Sequence, residues 1–172
     1  MKLANLDGRA VLIAGDGTAA DVHTLSGGRF GPDPTNLYAV WADFASWAGG
    51  VEVPTGGEAV DPQRLGAPSP RPSQILAFGI NYSEHAAESG FDAPTSLPPL
   101  FPKFVSSLSG PVTTVVLPEG GDIDWEIELV AVIGTGTEGR TISADDAWNY
   151  VAGVPAGQDI SDRASQFSTP AP

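Results

Sequence analysis

The chain has 172 residues, of which 41% are hydrophobic and 17% are charged, a balance typical of a globular protein rather than a disordered one. Its formal net charge of −13 argues against nucleic acid and anionic membranes as partners, and the lack of cysteines excludes disulfides, zinc–thiolate centres and thiol nucleophiles. Since the first residues are not those of a signal peptide and no apolar run is long enough to cross a bilayer, we expect a soluble cytoplasmic protein.

Residues 1–60 are predicted to form a small α+β domain. Apolar residues at helical spacing indicate an amphipathic helix over Leu37–Ala48, ended by a pair of glycines. His23 lies in a strand-like pattern away from the other motifs, and we interpret it as structural. Two strand patterns are separated by a Gly-Asp-Gly turn signal: Ala10–Ile13 and Asp21–Leu25.

Residues 61–72 are rich in proline and glycine and are predicted to be a linker to a second domain over residues 73–172. A proline-rich loop is expected over residues 92–111, and one or two helical turns over residues 83–89. A helix is expected from Ser143 to about Ala152, because Ser-Ala-Asp-Asp is an N-cap signature. Three apolar runs in this part predict strands: Ile75–Ile80, Val112–Leu117 and Trp125–Ile133.

Two glutamates, Glu126 and Glu128, interrupt the apolar run that begins at Trp125. Side chains alternate faces along a strand, so both carboxylates point to one side, and Trp125, Ile127 and Leu129 to the other. Two like charges on one face repel, and burying them unpaired is costly. A divalent cation is the usual reason to keep such a pair, and a solvated strand face is the alternative.

His85 and Glu88 follow the strand pattern that ends at Ile80. On a helix they are surface neighbours at i and i+3, and a carboxylate that orients an imidazole raises its basicity. Such a dyad can deprotonate water. The alternative is an exposed helical turn with an incidental ion pair.

Five motifs occur in an order and spacing that resembles the fumarylacetoacetate hydrolase family. The resemblance extends over essentially the whole chain and implies a mixed β-roll with few helices, so the expected fold class is β-rich α+β. It also implies a homodimer with the active site near the interface. The motifs are Gly79-Ile80-Asn81-Tyr82-x-x-His85-x-x-Glu88, Phe101-Pro102-Lys103, Asp124-Trp125-Glu126-Ile127-Glu128-Leu129, Val151-Ala152-Gly153 and Gln158-Asp159-Ile160-Ser161-Asp162-Arg163-x-x-Gln166.

The resemblance implies a metal centre formed by Glu126, Glu128 and Asp159. Three carboxylates without cysteine suit a hard cation, Mg²⁺, Mn²⁺ or Ca²⁺. Without the family, Asp159 would be interpreted as a capping aspartate, and Arg163 as paired with Asp162 or Asp159. The implied roles of the other residues are water activation on a mobile lid for His85 and Glu88, contact with the metal–substrate complex for Lys103, and substrate binding for Tyr82, Arg163 and Gln166.

The activity implied by the resemblance is metal-dependent hydrolysis of a carbon–carbon bond in a 2,4-dicarbonyl acid such as an acylpyruvate. Two reactions of the same family stay open, decarboxylation of oxaloacetate-like acids and isomerisation of a 2-hydroxydienedioate. Members of the family continue beyond these motifs into a Gly-Lys-Ser motif and further strands. A truncated homologue that only binds metal is therefore a third alternative.

Overall fold

The computed structural model describes residues 1–82, 95 and 97–168. The N-terminal part contains a four-stranded antiparallel sheet in the order β3-β2-β1-β4. Asp7 and Gly8 connect β1 to β2 with φ values of 50° and 79°, the two positive φ angles of a tight type I′ hairpin. The strand predicted over Ala10–Ile13 is confirmed as β2. The four strands are β1 (Leu3–Leu6), β2 (Arg9–Ile13), β3 (Ala19–Asp21) and β4 (Leu65–Gly66).

Three helices pack against this sheet: α1 (Val22–Leu25), α2 (Pro34–Tyr38) and α3 (Trp41–Gly50). The strand predicted over Asp21–Leu25 is wrong, because the Asp21 carboxylate accepts a hydrogen bond from the Thr24 N–H and starts α1. His23 therefore lies on a helix, where its Nδ1 is 2.9 Å from the Phe30 carbonyl oxygen.

The single helix predicted over Leu37–Ala48 is two helices. The Asp33 carboxylate accepts from Thr35 N–H, and Pro34 occupies the first turn, so α2 begins earlier than the apolar spacing indicates. Val40 then leaves helical geometry with φ −126° and ψ 32° before α3 begins. A short corner thus separates two segments that share one apolar periodicity.

The buried core belongs to the N-terminal part. Among the described residues, every buried hydrophobic side chain lies between Ala10 and Ala48, and Phe44 is completely buried. Phe44 forms an edge-to-face pair with Phe30, with ring centroids 5.5 Å apart, and packs against two tryptophans. Those two, Trp41 and Trp47, are partly buried and pack against the core.

The segment predicted as a linker is fastened to the N-terminal part. A 3₁₀ turn over Pro62–Arg64 leads into β4, which pairs with β1. The Asn5 side-chain amide donates to the Ala67 carbonyl at 2.9 Å, and the Tyr38 hydroxyl donates to the Pro68 carbonyl at 2.9 Å. Its first half is therefore part of the first sheet, while the proposed division into two domains stays a prediction.

The remaining described residues form three two-stranded antiparallel sheets: β5 with β6, β7 with β10 and β8 with β9. With few and short helices, the chain has the β-rich α+β fold that the sequence predicts. No helix in the described part of the chain is long and apolar enough to span a bilayer. The elements are β5 (Ile75–Phe78), β6 (Leu100–Lys103), a 3₁₀ turn (Val105–Ser107), β7 (Ile123–Leu129), β8 (Val132–Ile133), a 3₁₀ turn (Ala147–Tyr150), β9 (Val151–Gly153), β10 (Ala156–Asp162) and α4 (Arg163–Gln166).

Two predicted strands of this part differ from the observed ones. Val112–Leu117 forms no strand, because no segment among the described residues pairs with it, and β propensity alone does not make a sheet. The run Trp125–Ile133 is divided into β7 and β8, which pair with different partners. β6 also lies inside the predicted loop 92–111, since Leu100–Lys103 pairs with β5.

The helix predicted from Ser143 to Ala152 is wrong, although its cap is present. The Ser143 hydroxyl donates to the Asp146 carboxylate at 2.7 Å and accepts from the Asp146 N–H at 3.2 Å. Only a 3₁₀ turn follows, because Val151–Gly153 pairs with β8 as β9. The helical turns predicted over residues 83–89 lie outside the described residues.

Candidate functional site

The candidate site is the charged face of the β7–β10 sheet. The antiparallel register places Asp159 directly opposite Glu126, Gly157 opposite Glu128 and Ser161 opposite Asp124. Directly opposed residues of an antiparallel pair point to the same side. One face of this sheet thus carries four carboxylates: Asp124, Glu126, Glu128 and Asp159.

The other face of β7 is apolar, as the alternation predicts, but it is the more exposed face. Trp125, Ile127 and Leu129 are 67–70% exposed, while Glu126 and Glu128 are only partly exposed. A solvated strand face would show the opposite pattern, with carboxylates in water and apolar groups covered. Glu126 and Glu128 therefore do not lie on an ordinary solvated strand face.

Gly157, opposite Glu128, is closely packed by Val130. A Cβ atom at position 157 would lie 2.7 Å from Cγ2 of Val130 and 3.8 Å from Cβ of Glu128. Any larger residue would have to displace this neighbour. Glycine is therefore favoured opposite Glu128 by the close approach of Val130.

Lys103 supplies a positive charge to this face from the last position of β6. Its Nζ lies 2.6 Å from Oδ1 of Asp159, and the two side chains are only 28% and 17% exposed. The same ammonium lies 5.3 Å from the centroid of the Phe101 ring. The structure thus brings together two residues that are far apart in the sequence, both of them predicted site residues.

Arg163 supplies the second positive charge, from the first residue of α4. Its Nη2 donates to Oε1 of Glu126 at 2.7 Å and to Oδ2 of Asp124 at 2.7 Å, and its Nε donates to the same Asp124 oxygen at 3.0 Å. Its Nη1 donates to the Gln166 amide oxygen at 2.7 Å. The alternative for Arg163, a salt bridge to Asp162 or Asp159, has the wrong partners. Asp162 caps α4 by accepting from the Ala164 N–H, and Asp159 pairs with Lys103.

The electrostatics of this arrangement keep the guanidinium charged. Burial lowers the pKa of Arg163, but the hydrogen bonds and charges of Asp124 and Glu126 more than compensate, so the pKa is raised above its ordinary value. The pKa of Asp162 is lowered, chiefly by the hydrogen bond from the Ser165 hydroxyl. Both groups hold α4 against the charged face in their ionised forms.

Not every predicted site residue can be placed. Tyr82 is half exposed, and His85 and Glu88 lie outside the described residues. Asp124 belongs to the network although no role was predicted for it. The signal was present in the sequence, because Asp124, Glu126 and Glu128 follow one another at a spacing of two, which puts all three on one strand face.

The donors fit a hard cation by their chemistry, since carboxylate oxygens are the ligands that Mg²⁺ and Mn²⁺ prefer. The β7–β10 register supports the three predicted metal ligands, because Glu126 and Asp159 are cross-strand neighbours and Glu128 lies on the same face. In the described residues no three histidine, cysteine, aspartate or glutamate side chains already converge as a metal cage. Lys103 binds one oxygen of Asp159, and Arg163 binds one oxygen of Glu126.

Residues 74–172 match the model of the fumarylacetoacetate hydrolase C-terminal domain. The chain therefore belongs to the fumarylacetoacetate hydrolase family, as its motifs indicate.

Curated relatives match over the same part of the chain. The oxaloacetate tautomerase Fahd2a of Rattus norvegicus is 40% identical over 102 residues, 59% of this chain and 32% of that protein. The 2,4-didehydro-3-deoxy-L-rhamnonate hydrolase of Sphingomonas sp. is 43% identical over 104 residues, 60% of this chain and 35% of that protein. The match spans about a third of the length of these relatives, which are enzymes.

Solved structures extend the similarity over the N-terminal part. A crystal structure assigned as HpcE from Mycobacterium smegmatis superposes with a TM-score of 0.85 at 50% identity, covering 100% of this chain and 59% of that one. Maleylpyruvate hydrolase from Sphingobium sp., in complex with manganese and pyruvate, gives 0.64 at 28% identity, covering 97% of this chain and 61% of that one. The fold is therefore that of the family.

Proposed function

We propose that this chain carries the metal and substrate site of a divalent-cation-dependent hydrolase that cleaves a carbon–carbon bond in 2,4-dioxo acids of the acylpyruvate type. The observation that carries the proposal is the β7–β10 register, which sets Asp159 opposite Glu126 with Glu128 on the same face. The manganese and pyruvate complex of the maleylpyruvate hydrolase supports both the class of ion and the 2-oxo acid.

The residues that would hold the ion are Glu126, Glu128 and Asp159. A bound divalent cation supplies Lewis-acid stabilisation of negative charge on the oxygens of a 2-oxo acid. We favour Mg²⁺ or Mn²⁺, and Ca²⁺ is compatible with the same donors. Lys103 and Arg163 keep the carboxylates oriented and balance their charge until the ion binds.

The reaction requires an attacking water and an electron sink. We assign the base to His85, oriented by Glu88, which would take a proton from water as its oxygen attacks the distal carbonyl. The carbon–carbon bond then breaks, its electron pair leaves as the enolate of the 2-oxo acid, and a proton on carbon completes the product. We assign Lys103, which reaches this face from β6, to contact with an anionic substrate oxygen. The substrate-binding roles of Tyr82, Arg163 and Gln166 stay predictions.

Keto–enol tautomerisation of an oxaloacetate-like acid is the second candidate, favoured by the tautomerases among the curated relatives. It uses the same enolate but needs no attack by water. Decarboxylation and dienedioate isomerisation would use the same site as well. The products distinguish these reactions, since only hydrolysis releases a carboxylic acid together with a 2-oxo acid.

The test is a substrate panel with the purified chain in Mg²⁺ or Mn²⁺, with and without a chelator. We expect equimolar carboxylic acid and 2-oxo acid from an acylpyruvate, lost on chelation. Glu126→Gln should abolish metal stimulation, while the matched exposed control Glu119→Gln should retain it. Metal stimulation retained in Glu126→Gln would exclude this ligand, and unchanged turnover in His85→Ala would exclude the dyad.

Two further results would redirect the proposal. Conversion of oxaloacetate between its keto and enol forms without acylpyruvate cleavage would favour the tautomerase. Metal binding without turnover of any of these acids would favour a chain that only binds metal. We also propose a homodimer, which light scattering on the purified chain tests directly.

A further inference from the structure

Asp124 and the proposed metal ligand Glu126 both accept hydrogen bonds from the guanidinium of Arg163. It lies two residues before Glu126 on β7 and on the same face. Arg163 directs Nε and Nη2 to Oδ2 of Asp124 and also directs Nη2 to Oε1 of Glu126, at distances of 2.7–3.0 Å. Arg163 therefore bridges the two carboxylates.

We propose that Asp124 is a positioning residue for the metal centre, acting on Glu126 through Arg163; this rests on the function proposed above. Arg163 therefore divides its positive charge between two carboxylates. Without Asp124, the guanidinium would no longer divide its charge and would offset more of the charge of Glu126. Asp124 thus keeps Glu126 both oriented and negatively charged enough to accept a cation.

The exposures of the three side chains fit this division of roles. Asp124 is 50% exposed, whereas Glu126 is 23% exposed and Arg163 is 20% exposed. The more exposed carboxylate binds the guanidinium from the solvent side, where a charge is inexpensive to keep ionised. The less exposed one faces Asp159 across the strands, where a cation would bind.

The backbone fixes the position of Arg163. Its N–H donates to the Asp122 carbonyl at 2.7 Å, and the Asp122 N–H donates to the Asp162 carboxylate at 3.1 Å. Gln166, one turn later on α4, accepts from Nη1. The Arg163 backbone is thus fixed beside β7, so its guanidinium stays within reach of Glu126 when Asp124 is replaced.

The experiment is a double-variant cycle read by Mn²⁺ binding in titration calorimetry. Asp124→Asn keeps the shape of the side chain but removes its charge, and we expect Mn²⁺ affinity to fall about 10- to 100-fold, as for other residues that support metal ligands. In an Arg163→Gln background the same change should have less than about a threefold effect, because the residue through which it acts is gone. The exposed Asp145→Asn is the matched control and should bind as wild type does.

The outcomes separate this proposal from the one on which it rests. Wild type that binds no Mn²⁺ would overturn the metal centre and, with it, the role of Asp124. Wild type that binds Mn²⁺ while Asp124→Asn binds equally well overturns only the positioning role. A loss that is equally large in the Arg163→Gln background also overturns it, because Asp124 would then act directly. Far-UV circular dichroism establishes that each variant is folded.

Discussion

Phe44→Ala should destabilise the chain far more than truncation of any side chain on the apolar face of β7. Phe44 is completely buried in α3 and packs edge-to-face against Phe30. Ile127 is just as hydrophobic but is 70% exposed on β7. Comparing the two substitutions tests whether the hydrophobic stability of the chain resides in its N-terminal part.

The magnitudes follow from these exposures. Removing a fully buried phenylalanine costs about 3–5 kcal/mol, which combines lost transfer free energy with the cavity left behind. Three aromatic neighbours with ring centroids 5.4–5.9 Å away place Phe44 in the upper part of that range. A fully buried isoleucine costs about 2–5 kcal/mol on truncation. With only the remaining 30% of its surface covered, Ile127→Ala should cost about 1 kcal/mol.

The assay is urea unfolding followed by tryptophan fluorescence. Trp41 and Trp47 pack against the core and report on it, whereas Trp125 and Trp148 are about 70% exposed and should change little. We expect the midpoint to fall strongly for Phe44→Ala, with the slope unchanged, and only slightly for Ile127→Ala. An equal or larger loss for Ile127→Ala would refute the reasoning, since it would mean that the apolar face is covered in solution.

Two further predictions concern the N-terminal part. Gly66→Ala should lower the free energy of unfolding by about 1–3 kcal/mol, because the new Cβ would lie 2.6 Å from Nδ2 of Asn5. Gly49→Ala is the control and should not destabilise the chain, because no atom lies within contact distance of a Cβ there. Equal melting temperatures for the two variants would contradict this prediction. The pKa of Asp16 is lowered, chiefly because its carboxylate accepts a hydrogen bond from the Gly56 N–H. Asp16 therefore stabilises the folded chain above its unfolded pKa of about 3.8. This stabilisation is lost as the pH falls through the lower pKa of the folded state. Asp16→Asn should therefore flatten the acid limb of a stability–pH curve, and an unchanged limb would count against the contribution.

The sequence by itself determined the family, the β-rich class and the charged strand. Alternation at a period of two is a local property of extended chain, so the common face of Glu126 and Glu128 could be inferred from spacing alone. The same local logic extended to Asp124 would have identified it. The hairpin turn at Gly8 and the strand Ala10–Ile13 are equally local.

Tertiary structure decided what lies opposite each residue. The helix expected after Ser143 does not form, because Val151–Gly153 pairs with β8. The strand expected over Val112–Leu117 does not form either, because no segment among the described residues pairs with it. The stability of a strand pair depends on segments that are far apart in the sequence, and hydrophobic periodicity within one segment does not reveal its partner.

In the candidate site too, the sequence identifies residues whereas the tertiary structure determines which of them meet. The sequence supplied Lys103, Asp159 and Arg163 as candidates, but the distance of 2.6 Å from Lys103 to Asp159 exists only because β6 and β10 are brought together. The alternative ion pairs of Arg163 have the wrong partners, because the nearest carboxylates along the chain are not the nearest in space. Charge pairing is set by distance through space, and only the fold determines that distance.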